Sequence, residues 1–112
     1  MAEHASASWQ RVPIGLPAAG RTAAVEVAGR QLLLCNVGGE CFAIANRCSH
    51  AKAALSGGRL SGFVLECPLH GGKLDVRDGS PVAKPIRKPV RTYELRISGE
   101  DGCLEIAICG DV

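Results

Sequence analysis

The chain has 112 residues, enough for one domain around one modest core. A formal charge of +2 and four scattered aromatic residues exclude a nucleic-acid surface, which needs a basic stripe with stacking aromatics. The longest apolar runs, such as Leu32–Cys35, are a few residues, against the roughly 18–20 of a spanning helix.

Residues 1–8 are small and polar and are expected to form a disordered tail without a secretion signal. A cytoplasmic protein is expected, in which the six cysteines serve as ligands or buried thiols rather than disulfides. Fourteen glycines and six prolines punctuate short runs of Val, Ile and Leu, the pattern of many short strands. Trp9–Val12 is the first. Ala23–Val27 and Gln31–Val37 flank a hairpin turn at Ala28-Gly29-Arg30, and Gly38-Gly39 leads into Cys41–Ala45. A two-residue turn there pairs Asn36 with Cys41 and Cys35 with Phe42. The two thiols then point to opposite faces and cannot be bridged.

From residue 46 to 86 the chain is richer in Gly, Ser, Pro and charge. After it, Tyr93, Leu95 and Ile97 alternate with Thr92, Glu94 and Arg96, Ser98–Gly102 make a turn, and Leu104, Ile106 and Ile108 point inward from a last strand. Cys35, Cys41, Cys103 and Cys109 are expected to be core thiols, and Trp9 and Tyr93 core or scaffold residues. The basic run Lys84, Arg87, Lys88 and Arg91 reads either as a docking patch near the Cys-His segment or as a solvated face, and the solvated face is expected. His4 has no assigned role.

The 46–86 segment holds two Cys-His pairs: Cys48 and His50 in "NRCSH", then sixteen residues, then Cys67 and His70 in "CPLHGG". Thiolate and neutral imidazole are ligands for zinc and iron. One reading is a single zinc ion, although the one-residue gap between Cys48 and His50 is tighter than usual zinc spacing. The other is a two-iron, two-sulfide cluster in which each loop gives its cysteine to one iron and its histidine to the other.

Residues 46–97 resemble a Rieske-type ferredoxin, the electron carrier of bacterial ring-hydroxylating dioxygenase systems. The resemblance rests on "CSH" and on "CPLHGGKLDVRDGSPVAKP" (Cys67–Pro85). It implies an all-β fold: a small antiparallel β-sandwich or barrel scaffold (9–45 and 87–112) with a loop-rich cluster-binding subdomain (46–86). It implies one [2Fe–2S] cluster bound by Cys48, His50, Cys67 and His70, with both imidazoles at the exposed tip. Two thiolates cancel the charge of two ferric ions and two sulfides, and imidazoles add none. Such a centre accepts an electron more easily than one with four thiolates.

Gly71 and Gly72 are expected to let backbone N–H groups approach sulfur, Gly57 and Gly58 to make an ordinary turn, and Pro81 and Pro85 either to stiffen a covering loop or to form a strand-breaking linker. High-potential members of the family carry an extra cysteine in each loop, and a serine and a tyrosine that bond the sulfur ligands. Leu69, Gly72 and Leu74 stand at matching positions, so the potential is expected near the low end of the roughly −150 to +300 mV Rieske range.

A catalytic oxygenase needs a further mononuclear iron with two more histidines, and only His4 is left over. No nucleotide-binding glycine motif is present. The resemblance therefore implies a non-catalytic carrier, taking electrons from an NAD(P)H-dependent flavoprotein reductase to a terminal oxygenase through transient contacts. No nucleic acid, membrane or small-molecule substrate is expected. The small subunit of an assimilatory nitrite reductase and a zinc-stabilised interaction module are the alternatives.

Overall fold

The computed structural model describes residues 7–47, 54–68, 71–84, 86, 88–97 and 103–109. They form eleven strands and no helix: β1 (Ala7–Arg11), β2 (Thr22–Val27), β3 (Arg30–Val37), β4 (Glu40–Ala45), β5 (Arg59–Ser61), β6 (Val64–Glu66), β7 (Lys73–Asp75), β8 (Pro81–Ala83), β9 (Thr92–Tyr93), β10 (Leu95–Ile97) and β11 (Leu104–Cys109). All pairings are antiparallel, in three sheets ordered β1-β11-β10, β2-β3-β4-β9 and β5-β6-β7-β8.

The β2-β3-β4-β9 sheet forms the middle of the molecule because β3 is apolar on both faces. Leu33 and Cys35 point into one core with Ile44, Leu55, Leu65, Leu74, Val76 and Ile86. Leu32 and Leu34 point into the other with Val25, Val27, Leu104, Ile106 and Ile108. Each fully buried Leu or Ile contributes about 1.5–3 kcal/mol of transfer free energy. Both hairpins of this sheet have two-residue turns, Gly38-Gly39 as expected and Ala28-Gly29 where three residues were expected, all four at positive φ. That is the geometry whose twist matches the flanking strands.

Asn36 is the one buried polar side chain among the described residues, and it is satisfied at both ends. Its Nδ2 donates to the Pro17 carbonyl at 2.7 Å, and its Oδ1 accepts from the Gly39 N–H at 2.8 Å.

The pairing Asn36 with Cys41 and Cys35 with Phe42 is as expected. Cys35 lies in one core and Cys41 packs on the other, so the thiols do face opposite ways. Burial, reinforced by repulsion from Cys41, pushes the Cys35 thiol from 9.0 up to about 12. Burial likewise raises Cys41 to about 11, despite a hydrogen bond with the Cys35 backbone.

Four expectations need correction. The first strand starts at Ala7, so Ala7 and Ser8 belong to a strand that pairs with β11 rather than to a tail. The first hairpin turn is Ala28-Gly29 alone, since Arg30 pairs with Val27 as the first residue of β3; Trp9, a scaffold residue of β1, is on the outer surface at 37% exposure with the Arg96 guanidinium 3.9 Å from its ring centroid. Ile97 is 62% exposed because the run 92–97 breaks at Glu94 and its second half is an edge strand. Cys41 and Cys103 are only half-buried rather than core thiols. The calls on His4, Ser98–Gly102, Pro85 and Arg87, and on the Cys109 side chain, lie outside the described residues.

Candidate metal centre

The β5-β6-β7-β8 sheet is a four-strand meander. Its register aligns Arg59 with Glu66 and Glu66 with Lys73. The start of β5, the end of β6 and the start of β7 therefore share one end of the sheet. The segment entering β5 and the loop joining β6 to β7 both emerge there, so Gly58 and Cys67 lie at the same end of the sheet.

The second loop is closed at its neck. The Cys67 N–H donates to the Gly72 carbonyl at 2.6 Å, and the Gly71 N–H donates to the Cys67 carbonyl at 3.1 Å. The chain reverses through Gly71 at φ 75°, a region glycine enters without Cβ strain. Gly71 thus spends its N–H on the Cys67 carbonyl, not on a sulfur as expected. Cys67 is 1% exposed and lies in the core beside Leu55, Leu65 and Leu74.

The first loop is fastened by Asn46. Its own N–H donates to the Gln31 carbonyl at 2.9 Å. Its side-chain Oδ1 accepts from the N–H groups of Leu55 and Ser56, both at 2.8 Å. One amide thereby holds both ends of the segment containing Cys48 and His50. The strand ends that carry the two loops approach closely at Gly58, where a Cβ would collide with the Glu66 carbonyl. Gly58 is thus a close-approach residue, not the ordinary turn glycine expected. An open cleft of about 430 Å³ lies along this junction, lined by Gly57, Arg59, Glu66, Cys67, Pro68 and Gly71.

Of the expected ligands, the structure places Cys67 at the neck of its loop. Cys48, His50 and His70, with Leu69, lie outside the described residues. Leu74, noted for its missing hydroxyl, is a fully buried core residue paired with Leu65. Pro81 opens β8 and is exposed. Lys84, Lys88 and Arg91 are exposed, as expected of a solvated face, and the Arg91 guanidinium lies 5.2 Å from the Tyr93 ring centroid.

Asn46 and Gly58 were not legible as site residues. An Asn immediately before a ligand loop was a possible signal for the first; the second depends on a neighbour eight residues away in sequence.

The donor chemistry fits an iron–sulfur cluster. Cys67 is a buried thiol at a pinched loop neck, a soft donor in a water-poor setting of the kind such a cluster takes.

The family model for the Rieske [2Fe–2S] domain matches residues 13–94. The ferredoxin component of biphenyl 2,3-dioxygenase from Rhodococcus jostii (strain RHA1) is 45% identical over 75 residues, 67% of this chain and 70% of that protein. A chain in the complex of reduced oxygenase and oxidized ferredoxin of carbazole 1,9a-dioxygenase superposes with TM-score 0.80 at 30% identity, covering 93% of this chain and 96% of that one. The putative NADH-dependent nitrite reductase small subunit from Mycobacterium tuberculosis superposes with TM-score 0.78, covering 94% and 98%; at 22% identity that likeness is one of fold alone. The chain belongs to the Rieske [2Fe–2S] domain family, as a ferredoxin that carries a Rieske-type [2Fe–2S] cluster and transfers electrons without being the catalyst.

Proposed function

We propose that Cys48, His50, Cys67 and His70 are the cluster ligands, and that the segment 46–86 is the cluster-binding subdomain of a single domain. In this reading the chain carries single electrons, in the cytoplasm, from an NAD(P)H-dependent flavoprotein reductase to a terminal ring-hydroxylating oxygenase. The observation that supports it most is the close approach, at one end of a sheet, of the strand ends that carry the two loops, with Cys67 buried at the neck of one.

When bound, the cluster supplies a one-electron redox centre. The protein's part is placement. Asn46 fixes the span of the first loop, the Cys67–Gly72 bond fixes that of the second, and Gly58 lets them approach. The aliphatic residues around Cys67 exclude water on its inner side. Partners need only reach the loop end, through an interface at or below the roughly 1,200 Å² of transient complexes.

Spectroscopy of the purified protein tests the ligand set. A red-brown protein with a low average g-value after reduction is expected, while a colourless zinc protein refutes it. His50→Cys and His70→Cys should each retain iron but shift the spectrum toward all-cysteine ligation. If neither changes it, the histidine assignment is wrong. Elution free of any large subunit is expected of a shuttle; copurification with a sirohaem subunit would indicate the nitrite-reductase alternative.

A further inference from the structure

Charge is not spread evenly over the cluster-subdomain sheet. Because β5, β6, β7 and β8 run as a meander, Arg59, Glu66, Lys73 and Ala83 fall in one row at the cluster-loop end, with Lys84 just beyond. Arg47 directly precedes Cys48 in the first loop. Arg59, Lys73 and Lys84 at that end, and Arg47 beside Asn46, are all exposed; among the described residues the carboxylate in this row is the half-buried Glu66. Among the described residues neither Arg59 nor Lys73 is held in an ion pair.

The opposite end of the same sheet has the reverse balance. Arg77 is bound by Asp75 at 2.7 Å and also lies in the fields of Asp78 and Glu40. The sheet is thus an electric dipole with its positive pole at the cluster loops, although the whole chain carries only +2.

We propose that Arg47, Arg59, Lys73 and Lys84 form a cationic docking rim around the cluster loops that seats an acidic surface of the terminal oxygenase. This rests on the electron-carrier reading above. Transfer by weak contact needs the cluster end to face the partner at encounter, and a dipole along that axis orients the approach before contact. Steering of this kind changes association rates by about 10- to 1,000-fold and weakens with salt.

Two one-electron oxidants of opposite charge test the rim without the oxygenase. Reduced holoprotein is mixed anaerobically with hexacyanoferrate(III), a trianion, or with tris(phenanthroline)cobalt(III), a trication. Each takes one electron from the reduced cluster, giving ferrous or cobaltous product. The hexacyanoferrate rate should fall about tenfold as ionic strength rises from about 0.01 to about 0.5 M, and the cobalt rate should rise. Net charge alone would give the same sign, so two variants of equal net charge decide. Arg59→Gln with Lys73→Gln should abolish most of the preference for the anion; Arg77→Gln with Arg96→Gln should leave it. Retention of the same holoproteins on a carboxylate resin gives a reading independent of electron transfer, with the Arg59/Lys73 double variant eluting at lower salt than the Arg77/Arg96 one. Equal behaviour of the two variants in both measurements overturns the rim. Failure to reduce either oxidant strikes the electron-carrier reading instead, and the resin still decides the rim.

Discussion

Replacing Asn46 by Ala should loosen the first ligand loop from a single point. The wild-type amide oxygen accepts two backbone N–H bonds of 2.8 Å, from Leu55 and Ser56. Leu55 is fully buried and Ser56 half-buried, so water replaces these bonds poorly. Leaving a buried donor unsatisfied costs about 1–3 kcal/mol, and with partial access of water at Ser56 the pair amounts to about 2–4 kcal/mol. For a domain of this size that lowers Tm by about 10–20 °C. Asn46→Asp retains both acceptor sites and should recover most of the loss. The assay is thermal unfolding of the holoprotein by circular dichroism, with the rate of visible bleaching in excess chelator recorded in parallel. Asn46→Ala should bleach faster than Asn46→Asp. If Asn46→Ala melts within about 2 °C of wild type and bleaches at the same rate, the amide does not hold the loop.

Gly58→Ala should be more damaging than its added methyl suggests, because the Cβ meets a backbone carbonyl that cannot swing away. A destabilisation of about 1–3 kcal/mol, read by denaturant titration, is expected, and a neutral result refutes the close approach. The buried thiols predict alkaline instability. Their folded pKa values are raised, so their contribution is intact below the unfolded value of about 9 and is lost as pH rises toward about 11 to 12. Cys35→Ala should flatten the alkaline limb of a stability-against-pH curve; an unchanged limb refutes this. The Arg77 side chain, hydrogen-bonded to Asp75, holds that carboxyl below its usual value. Its contribution is present above the unfolded value of about 3.9 and is lost as pH falls through the lower folded value, so Asp75→Asn should flatten the acid limb. A redox titration should place the midpoint toward the low end of the roughly −150 to +300 mV Rieske range, and a strongly positive value contradicts the reading of Leu69, Gly72 and Leu74.

What the sequence made legible was local. The Gly38-Gly39 turn determines the register of β3 on β4, and that register alone separates Cys35 from Cys41. The alternation of Leu104, Ile106 and Ile108 likewise needs no knowledge of neighbours. Ile97 defeated the same logic, and Trp9 is scaffold without being core, because facing inward requires something to face. Ile97 sits on an outer edge strand, and Trp9 lies across the exposed ladder under Arg96. The Cys-His spacing was enough to read the Rieske family from the sequence. The residues that shape the metal centre were not legible: Asn46 reaches nine and ten residues ahead, and Gly58 answers to the Glu66 carbonyl. Of the cationic rim, Lys84 stood in a basic run that could be read as a docking patch; Arg59 and Lys73 are distant in sequence and join it only through the meander.

The strand β3 belongs to both hydrophobic cores, and the described elements of the cluster subdomain contribute to only one of them. Opening of that subdomain therefore leaves the second core, with β1, β10 and β11, still packed on the far face of β3. Partial opening of this kind costs less than global unfolding. A polypeptide built this way can present its ligand loops to an iron–sulfur donor, and recover from oxidative loss of its cluster, while most of it remains native.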